Sequence, residues 1–181
     1  MDAAERHVPV LLAEVLEFLE PARGGLFVDC TLGMGGHTEA LLDASPQTVV
    51  IGMDRDAESL DLARRRLERF GNRFTAVHSD YRRIAEVLRE LAPDRGATGV
   101  LADLGVSSHQ LNEAERGFAF SKEAPLDMRM DRSTGDSAAD LVAQLDETEL
   151  AHIIYIYGEE PRSRRIARAI CRERDREPIA T

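Results

Sequence analysis

The chain has 181 residues, of which 43% are hydrophobic and 31% are charged, and its formal net charge is −10. The length suffices for one domain or slightly more, and this charge argues against non-specific coating of nucleic acid, although it does not exclude a local basic surface. No apolar run approaches the roughly 20 residues of a membrane helix, and the segment 1–7 lacks the build of a signal peptide, so we expect a cytoplasmic protein. Cys30 and Cys171 are far apart and lack histidines at ligand spacing, so neither a disulfide framework nor a metal site is indicated.

Helical and strand patterns alternate through the first half of the chain. Apolar residues at helical spacing predict an amphipathic helix over 11–19 that ends at Pro21. Four short apolar runs predict strands over 26–28, 48–53, 74–77 and 98–102, with helices over 38–44, 57–70 and 84–91 between them. The second of these runs is apolar almost throughout, as is typical of a parallel strand covered on both faces. The order predicts an α/β fold with a parallel sheet.

A glycine-rich loop follows the first predicted strand. Asp29 ends that strand, and Gly33, Gly35 and Gly36 precede the next helix. Glycines permit positive φ angles and let a ligand approach the backbone closely. The dinucleotide fingerprint G-x-G-x-x-G is incomplete, since Thr38 holds the third glycine position. A carboxylate beside the loop suits S-adenosylmethionine (SAM), which carries two cationic groups and no pyrophosphate. A plain connection between strand and helix is the alternative.

An acidic residue follows each of the four predicted strands. These residues are Asp29, Asp54, Asp80 and Asp103. Asp54 lies about 20 residues past the loop, where an acid that binds ribose is expected. A single acid after a strand is usually a turn or cap residue, but four beside a glycine loop predict a ligand site at the carboxyl edge of the sheet.

The periodicity changes after Asp103. The pattern predicts a loop over 104–110, an irregular segment over 112–136, and helices over 137–145, 147–157 with Gly158 as a stop, and 162–174. These helices predict a second domain inserted after the fourth strand. In the last helix Arg164, Arg168 and Arg172 are four apart, and both a solvated helix face and an RNA phosphate contact stay open.

The predicted sheet has four strands and an open outer edge where the sequence stops. Exposed edges are normally covered or paired. We therefore expect the chain to be a fragment of a longer protein.

Several short motifs occur along the chain: His7-Val-Pro-Val-Leu-Leu, Asp29-x-Thr-x-Gly-x-Gly-Gly-His37, Asp54-Arg-Asp56, Asp103-Leu-Gly-Val-Ser-Ser108, Gln110-Leu111, Arg116-Gly-Phe118, Pro125-Leu-Asp-Met-Arg-Met130 and Gly158-Glu-Glu160. Together they resemble the bacterial RsmH (MraW) family, the ribosomal RNA small subunit methyltransferases H. Family members use SAM to methylate N4 of a cytidine in 16S rRNA near the decoding site. The resemblance implies a class I SAM-dependent methyltransferase with a Rossmann-like, mostly parallel sheet, incomplete here, and an inserted helical substrate-recognition domain. We place the two domains at 1–110 and 111–181.

The resemblance also implies functional residues and partners. The expected cofactor contacts are Gly33, Gly35, Gly36, His37, Asp54, Tyr81, Asp103 and Gln110, with Tyr81 where the family usually has Phe. Asp54 is expected to accept both ribose hydroxyls. Asp103 is the candidate catalytic residue, as the acceptor that draws on the N–H of the cytosine amine. The implied partner is the 16S rRNA of the small ribosomal subunit, with no membrane and no metal, and a homodimer is left open.

Two other functions and one further role stay open at this point. The alternatives are a non-catalytic RNA or ribosome-binding module and, less favoured, a nicotinamide-dependent oxidoreductase. The target base must leave its stack, and Phe118 or Phe120 could receive it. We expect both phenylalanines to pack in the core instead.

Overall fold

The computed structural model describes residues 9–181, apart from the side chain of Ser108. His7 and Val8, from the first family motif, lie outside these residues. The chain folds as two compact units, one ending at Gly105 and the other beginning at Val106. The boundary after residue 110, with substrate recognition assigned to the second domain, stays a prediction.

The first unit alternates helices and strands. Its helices are α1 (Leu12–Leu19), α2 (Gly36–Ala44), α3 (Ala57–Leu67) and α4 (Ile84–Leu91). Its strands are β1 (Gly25–Asp29), β2 (Thr48–Asp54), β3 (Phe74–His78) and β4 (Gly99–Leu101). The predicted α/β class is confirmed, although β4 is shorter than the predicted 98–102. In the described part of the chain, no helix is both long and apolar enough to cross a membrane.

The four strands form one parallel sheet in the order β3-β2-β1-β4. Asp29 at the end of β1 lies opposite Gly52 in β2 and Leu101 in β4, and Asp54 lies opposite His78. The chain adds β2 and β3 on one side of β1 and then β4 on the other. Such a reversal opens a crevice outside the carboxyl ends of the strands, where ligands of open α/β sheets bind.

Apolar side chains cover both faces of the sheet, as predicted for the second strand. Phe27 and Val50 point to one face and belong to a cluster with Leu41, Leu42, Leu60, Ala63, Leu67 and Phe70. Leu26, Val28 and Ile51 point to the other face, where Val87 and Ala92 pack. The alternation along β1 therefore buries both of its faces, because successive side chains of a strand point to opposite sides. This packing fixes the strand ends that carry the acids.

The second unit is helical. It contains α5 (Ser108–Asn112), α6 (Ala138–Gln144), α7 (Glu147–Gly158) and α8 (Ser163–Arg174). The buried members of its core cluster are Leu150, Ala151 and Ala167.

One sequence-based expectation for this part of the chain is wrong in part. The segment 104–110 was predicted to be a loop, but helix α5 begins within it at residue 108, since Ser107 and Gln110 form a reciprocal capping box that stabilises the helix start. Helix α7 ends at the predicted stop Gly158, and Glu159 follows it in the left-handed conformation with φ 49°.

The irregular segment between α5 and α6 is held by a buried arginine. The guanidinium of Arg116 donates to the carbonyl oxygens of Arg129 and Met130 at 3.0 and 2.9 Å. Asp127 accepts two bonds of 2.8 Å from the Arg129 guanidinium, which lowers the pKa of Asp127 to about 2. These bonds fix the course of the long segment between α5 and α6.

Candidate functional site

The loop after β1 is built on the buried carboxylate of Asp29. Its two oxygens accept hydrogen bonds from the hydroxyl of Thr38 at 2.7 Å and the backbone N–H of Thr31 at 3.2 Å. Asp29 is 1% exposed, and burial raises its pKa to about 6. The Asp29 carboxylate was expected to face a cationic ligand, but it is buried and bonds to its own loop and to α2. Asp29 shapes the loop and ties it to α2.

The loop is also fastened to the end of the neighbouring strand β2. The backbone N–H of Gly33 donates to Oδ2 of Asp54 at 2.7 Å, and the N–H of Asp56 donates to Oδ1 at 2.9 Å. Partial burial raises the pKa of Asp54. An ionised carboxylate offers about four acceptor positions, so Asp54 keeps acceptor capacity beyond these bonds.

The three glycines of the loop have different surroundings. A Cβ added to Gly33 would meet no atom closer than the carbonyl oxygen of Thr31 at 4.0 Å, and the φ of Gly33 is 51°. At Gly35 a Cβ would lie 2.8 Å from Cδ1 of Leu67, and at Gly36 it would lie 2.6 Å from Cγ of Pro9. The Cβ side of Gly33 is therefore open to a ligand, while the absence of a Cβ at Gly35 and Gly36 lets neighbouring segments pack closely. Cofactor contacts by Gly35 and Gly36 stay predictions.

His37 holds the segment before α1. Its Nε2 lies 2.9 Å from the carbonyl oxygen of Val10, and the side chain is 8% exposed. The imidazole thus positions backbone near the start of α2. A direct cofactor contact by His37 stays a prediction.

The carboxylates after β3 and β4 differ in whether they are free to accept a hydrogen bond from a ligand. Asp80 binds the guanidinium of Arg82 with two bonds and lies 3.6 Å from that of Arg55, so its pKa is lowered to about 2. The backbone N–H of Asp103 donates to Oγ1 of Thr31 at 2.7 Å, and its carboxylate is exposed and has no bonding partner among residues 9–181. Asp103 is therefore fixed beside the loop with a carboxylate that can accept.

The predicted aromatic contact Tyr81 follows Asp80 directly and is 43% exposed. A partly exposed ring can lie against a flat base, so its position is compatible with the predicted role. The contact itself stays a prediction.

The remaining predicted residues lie in the second unit. Gln110 is 4% exposed, and its side-chain oxygen accepts from the backbone N–H of Ser107 at 2.9 Å. It caps α5, and a cofactor contact by Gln110 stays a prediction. Phe120 is fully exposed, so the expectation that it packs in the core is wrong, whereas Phe118 is partly buried.

Two threonines of this site were not predicted. Thr31 joins the loop to β4 by accepting from Asp103, and Thr38 joins it to Asp29. Thr31 belongs to the D-x-T-x-G motif, and this was the sequence signal for it. Sequence periodicity gives no indication of a buried hydroxyl bond between residues nine apart. Together the bonds of Asp29, Thr31 and Asp54 fix the loop to β2, β4 and α2.

Comparison with known proteins identifies the family. The model of the MraW methylase family matches residues 4–181. The chain belongs to this family. The matched residues include both the first and the second unit.

Several curated proteins are similar to this chain along nearly its whole length. A protein of Streptomyces avermitilis is 50% identical over 97% of this chain, one of Thermobifida fusca is 51% identical over 98%, and one of Geobacter sulfurreducens is 52% identical over 96%. Each is named ribosomal RNA small subunit methyltransferase H. The matches cover 54 to 56% of these relatives, so the chain spans about half of their length.

Among solved structures, a SAM-dependent O-methyltransferase from Thermotoga maritima is similar, with a TM-score of 0.41 and 17% identity. The similarity covers 56% of this chain and 38% of that structure.

Proposed function

We propose that this chain carries the SAM-binding part of a methyltransferase that acts on N4 of a cytidine in the 16S rRNA of the small ribosomal subunit. The observation that carries the proposal is the clamped loop with its open face at Gly33, held by Asp54 in a chain of the MraW methylase family. The printed name of the relatives supports rRNA as the substrate class.

The residues of the loop fit SAM by the chemistry of their groups. Gly33 leaves space where a side chain would stand, and the Asp54 carboxylate beside it suits the two hydroxyls of a ribose. Tyr81, partly exposed after β3, offers an aromatic face for adenine. A nicotinamide cofactor is disfavoured, because Thr38 at the third fingerprint position is buried and bonded to Asp29.

The protein contributes positioning and electrostatics to such a reaction. SAM, when bound, supplies an activated methyl group on a sulfonium. The lone pair of the cytosine amine is delocalised into the ring, so an acceptor must draw on its N–H. Asp103 has an exposed carboxylate and a backbone fixed to Thr31, and we assign it this acceptor role.

Calorimetric titration with SAM tests the cofactor assignment. We expect the chain to bind SAM and not NAD, and we expect Asp54→Ala to weaken SAM binding by tenfold or more, since it removes a ligand group and releases Gly33. Asp61→Ala is the control, because Asp61 is exposed on α3 and, among residues 9–181, its one ion pair is with Arg64 at 2.8 Å.

Circular dichroism of each variant separates loss of binding from loss of folding. A folded chain that binds NAD, or a folded Asp54→Ala variant with unchanged SAM affinity, would contradict the proposed cofactor site. Methyl transfer to purified small subunits, followed by detection of N4-methylcytidine, tests the substrate.

A further inference from the structure

The segment 9–11, which we call the strap, lies against the start of α2. The carbonyl oxygen of Val10 is 2.9 Å from Nε2 of His37, and because a carbonyl oxygen only accepts, Nε2 is the donor. Pro9 packs so closely on Gly36 that a Cβ there would lie 2.6 Å from Cγ of Pro9. Both contacts join residues 27 positions apart, so they are tertiary contacts between the strap and α2.

The strap is not held by burial of its own apolar side chains. Val10 is 57% exposed and Leu11 is 61% exposed. Leu11 also has φ 50° and ψ 33°, a left-handed conformation that is disfavoured for a bulky side chain. Strain of this kind persists where the surrounding structure imposes it. The contacts with Gly36 and His37 therefore carry the conformation of the strap.

Leu11 is the joint between the strap and α1. Beyond this joint, Leu16 and Leu19 of α1 pack against the core cluster that contains Phe27 and Val50. This packing anchors α1 independently of the strap. A change of φ at Leu11 would therefore move the strap away from α2 while α1 stays in place.

The strap reaches the glycine-rich loop through the first turn of α2. His37 is followed by Thr38, whose hydroxyl donates to the buried carboxylate of Asp29 at 2.7 Å. Asp54 holds the loop from the end of β2 through the N–H of Gly33. The strap acts farther along the chain, where α2 begins, so the loop is fixed from the sheet and from the helix.

We propose that the strap holds the glycine-rich loop in the conformation that binds the cofactor, and that the imidazole of His37 is a positioning group that acts through the Val10 carbonyl. The identity of the cofactor as SAM rests on the proposed function. Because coupling between two equilibria is reciprocal, bound SAM also holds the strap more firmly.

Leu11→Pro displaces the strap without changing any residue of the loop. Proline keeps φ near −65° and cannot adopt the φ of 50° found at this position. Leu11→Ala is the matched control, because alanine reaches the same φ as leucine and loses only an exposed side chain. We expect Leu11→Pro to speed amide exchange of the loop 30–36 about tenfold in the absence of SAM, and Leu11→Ala to leave it unchanged.

His37→Ala and His37→Gln test the positioning role of the imidazole. The side-chain amide of glutamine can donate to the Val10 carbonyl, whereas alanine cannot. We expect His37→Ala and Leu11→Pro each to weaken SAM binding by about five- to tenfold, and His37→Gln to restore most of the affinity. Calorimetric titration measures the affinity, and circular dichroism establishes that each variant is folded.

The loop exchange and the SAM affinity together decide the proposal. Unchanged loop exchange in folded Leu11→Pro and His37→Ala would overturn it, whatever the SAM affinity. Weaker SAM binding by His37→Ala that Leu11→Pro does not share would also overturn it, because the imidazole would then contact SAM directly. Faster loop exchange in both variants of a chain that does not bind SAM would support the hold of the strap on the loop and contradict the proposed function.

Discussion

Gly33 and Gly35 lie two residues apart, yet they are glycine for different reasons. Both have positive φ angles, 51° and 79°, so alanine at either position is strained. Gly35 is pressed against Leu67 of α3, whereas Gly33 faces open space. Gly35 therefore serves packing, and Gly33 is available to a ligand.

We predict that alanine at Gly33 mainly weakens SAM binding, whereas alanine at Gly35 mainly lowers the free energy of unfolding. Gly33→Ala should cost about 1 kcal/mol of unfolding free energy, from strain alone, and weaken SAM binding at least tenfold, because its Cβ occupies the open face. Gly35→Ala should destabilise the fold further, by about 2–3 kcal/mol, since its Cβ collides with Leu67. Urea unfolding and calorimetric titration of both variants measure this. SAM binding by Gly33→Ala equal to that of the unchanged chain would contradict a ligand at this face.

Asp29 is expected to make stability depend on pH. Its pKa is raised from 3.8 to about 6 by burial, so between these values the folded state binds more protons than the unfolded state. Its contribution to stability is therefore lost as pH rises from about 4 to about 6, by roughly 3 kcal/mol in total.

Asp29→Asn should remove this dependence. The amide can still accept from the N–H of Thr31 and donate to the hydroxyl of Thr38, so the loop keeps its bonds. We expect the stability of the variant, relative to the unchanged chain, to increase across this pH range in urea unfolding experiments. Asp61→Asn, on the exposed side of α3, controls for the change in net charge. Parallel curves for Asp29→Asn and the unchanged chain would show that the buried carboxyl does not titrate there.

At the scale of elements, one arginine in each unit binds the end of a helix that is distant in sequence. Arg73 donates to the carbonyl oxygens of Leu42 and Ser45 at the end of α2, at 2.9 and 3.0 Å. Arg174 donates to those of Val142 and Leu145 at the end of α6, at 2.6 Å each. The last carbonyl groups of a helix lack partners within it, and a cation there also complements the helix dipole.

Arg174→Gln should destabilise the second unit by about 1.5–3 kcal/mol, the usual value of hydrogen bonds to a charged group. Arg172→Gln is the control on the same helix, since Arg172 is exposed and, within the part of the chain that the structure describes, its one ion pair is with Glu173. We expect thermal melts of the control to stay close to those of the unchanged chain. Equal melting temperatures for the two variants would mean that these carbonyl groups are satisfied without Arg174.

These elements also show what the sequence could predict. The strands and the acids at their ends follow from periodicity and from spacing, which are local properties, and the four strands, the parallel sheet and most helices were predicted. The bond from Gly33 to Asp54 and the capping by Arg174 join residues 21 to 32 positions apart, and the pairing of β1 with β4 that sets the strand order joins residues 72 positions apart. Such pairs are determined by packing in three dimensions. The start of α5 was missed for a different reason, because its capping box is a local S-x-x-Q pattern that was present in the sequence.

At the scale of the whole molecule, the two units differ in how much apolar surface they bury. The first packs large side chains such as Phe27, Leu41 and Met53 on both faces of its sheet. The buried members of the core cluster in the second unit are Leu150 and two alanines, Ala151 and Ala167. Because burial of apolar area is the main stabilising contribution, the first unit should open less readily than the second.

Amide hydrogen exchange measures this difference directly. We expect peptides from β1 and β2 to exchange most slowly and those from α6 to α8 to exchange earlier, since local opening of the second unit exposes less apolar surface. Addition of SAM should slow exchange in the loop 30–36 and around Asp54, where the Gly33 bond is made, and should leave α8 unchanged. Equal protection of β1 and α7 would contradict the difference in core size. Protection of α8 by SAM alone would show that the cofactor site extends into the second unit.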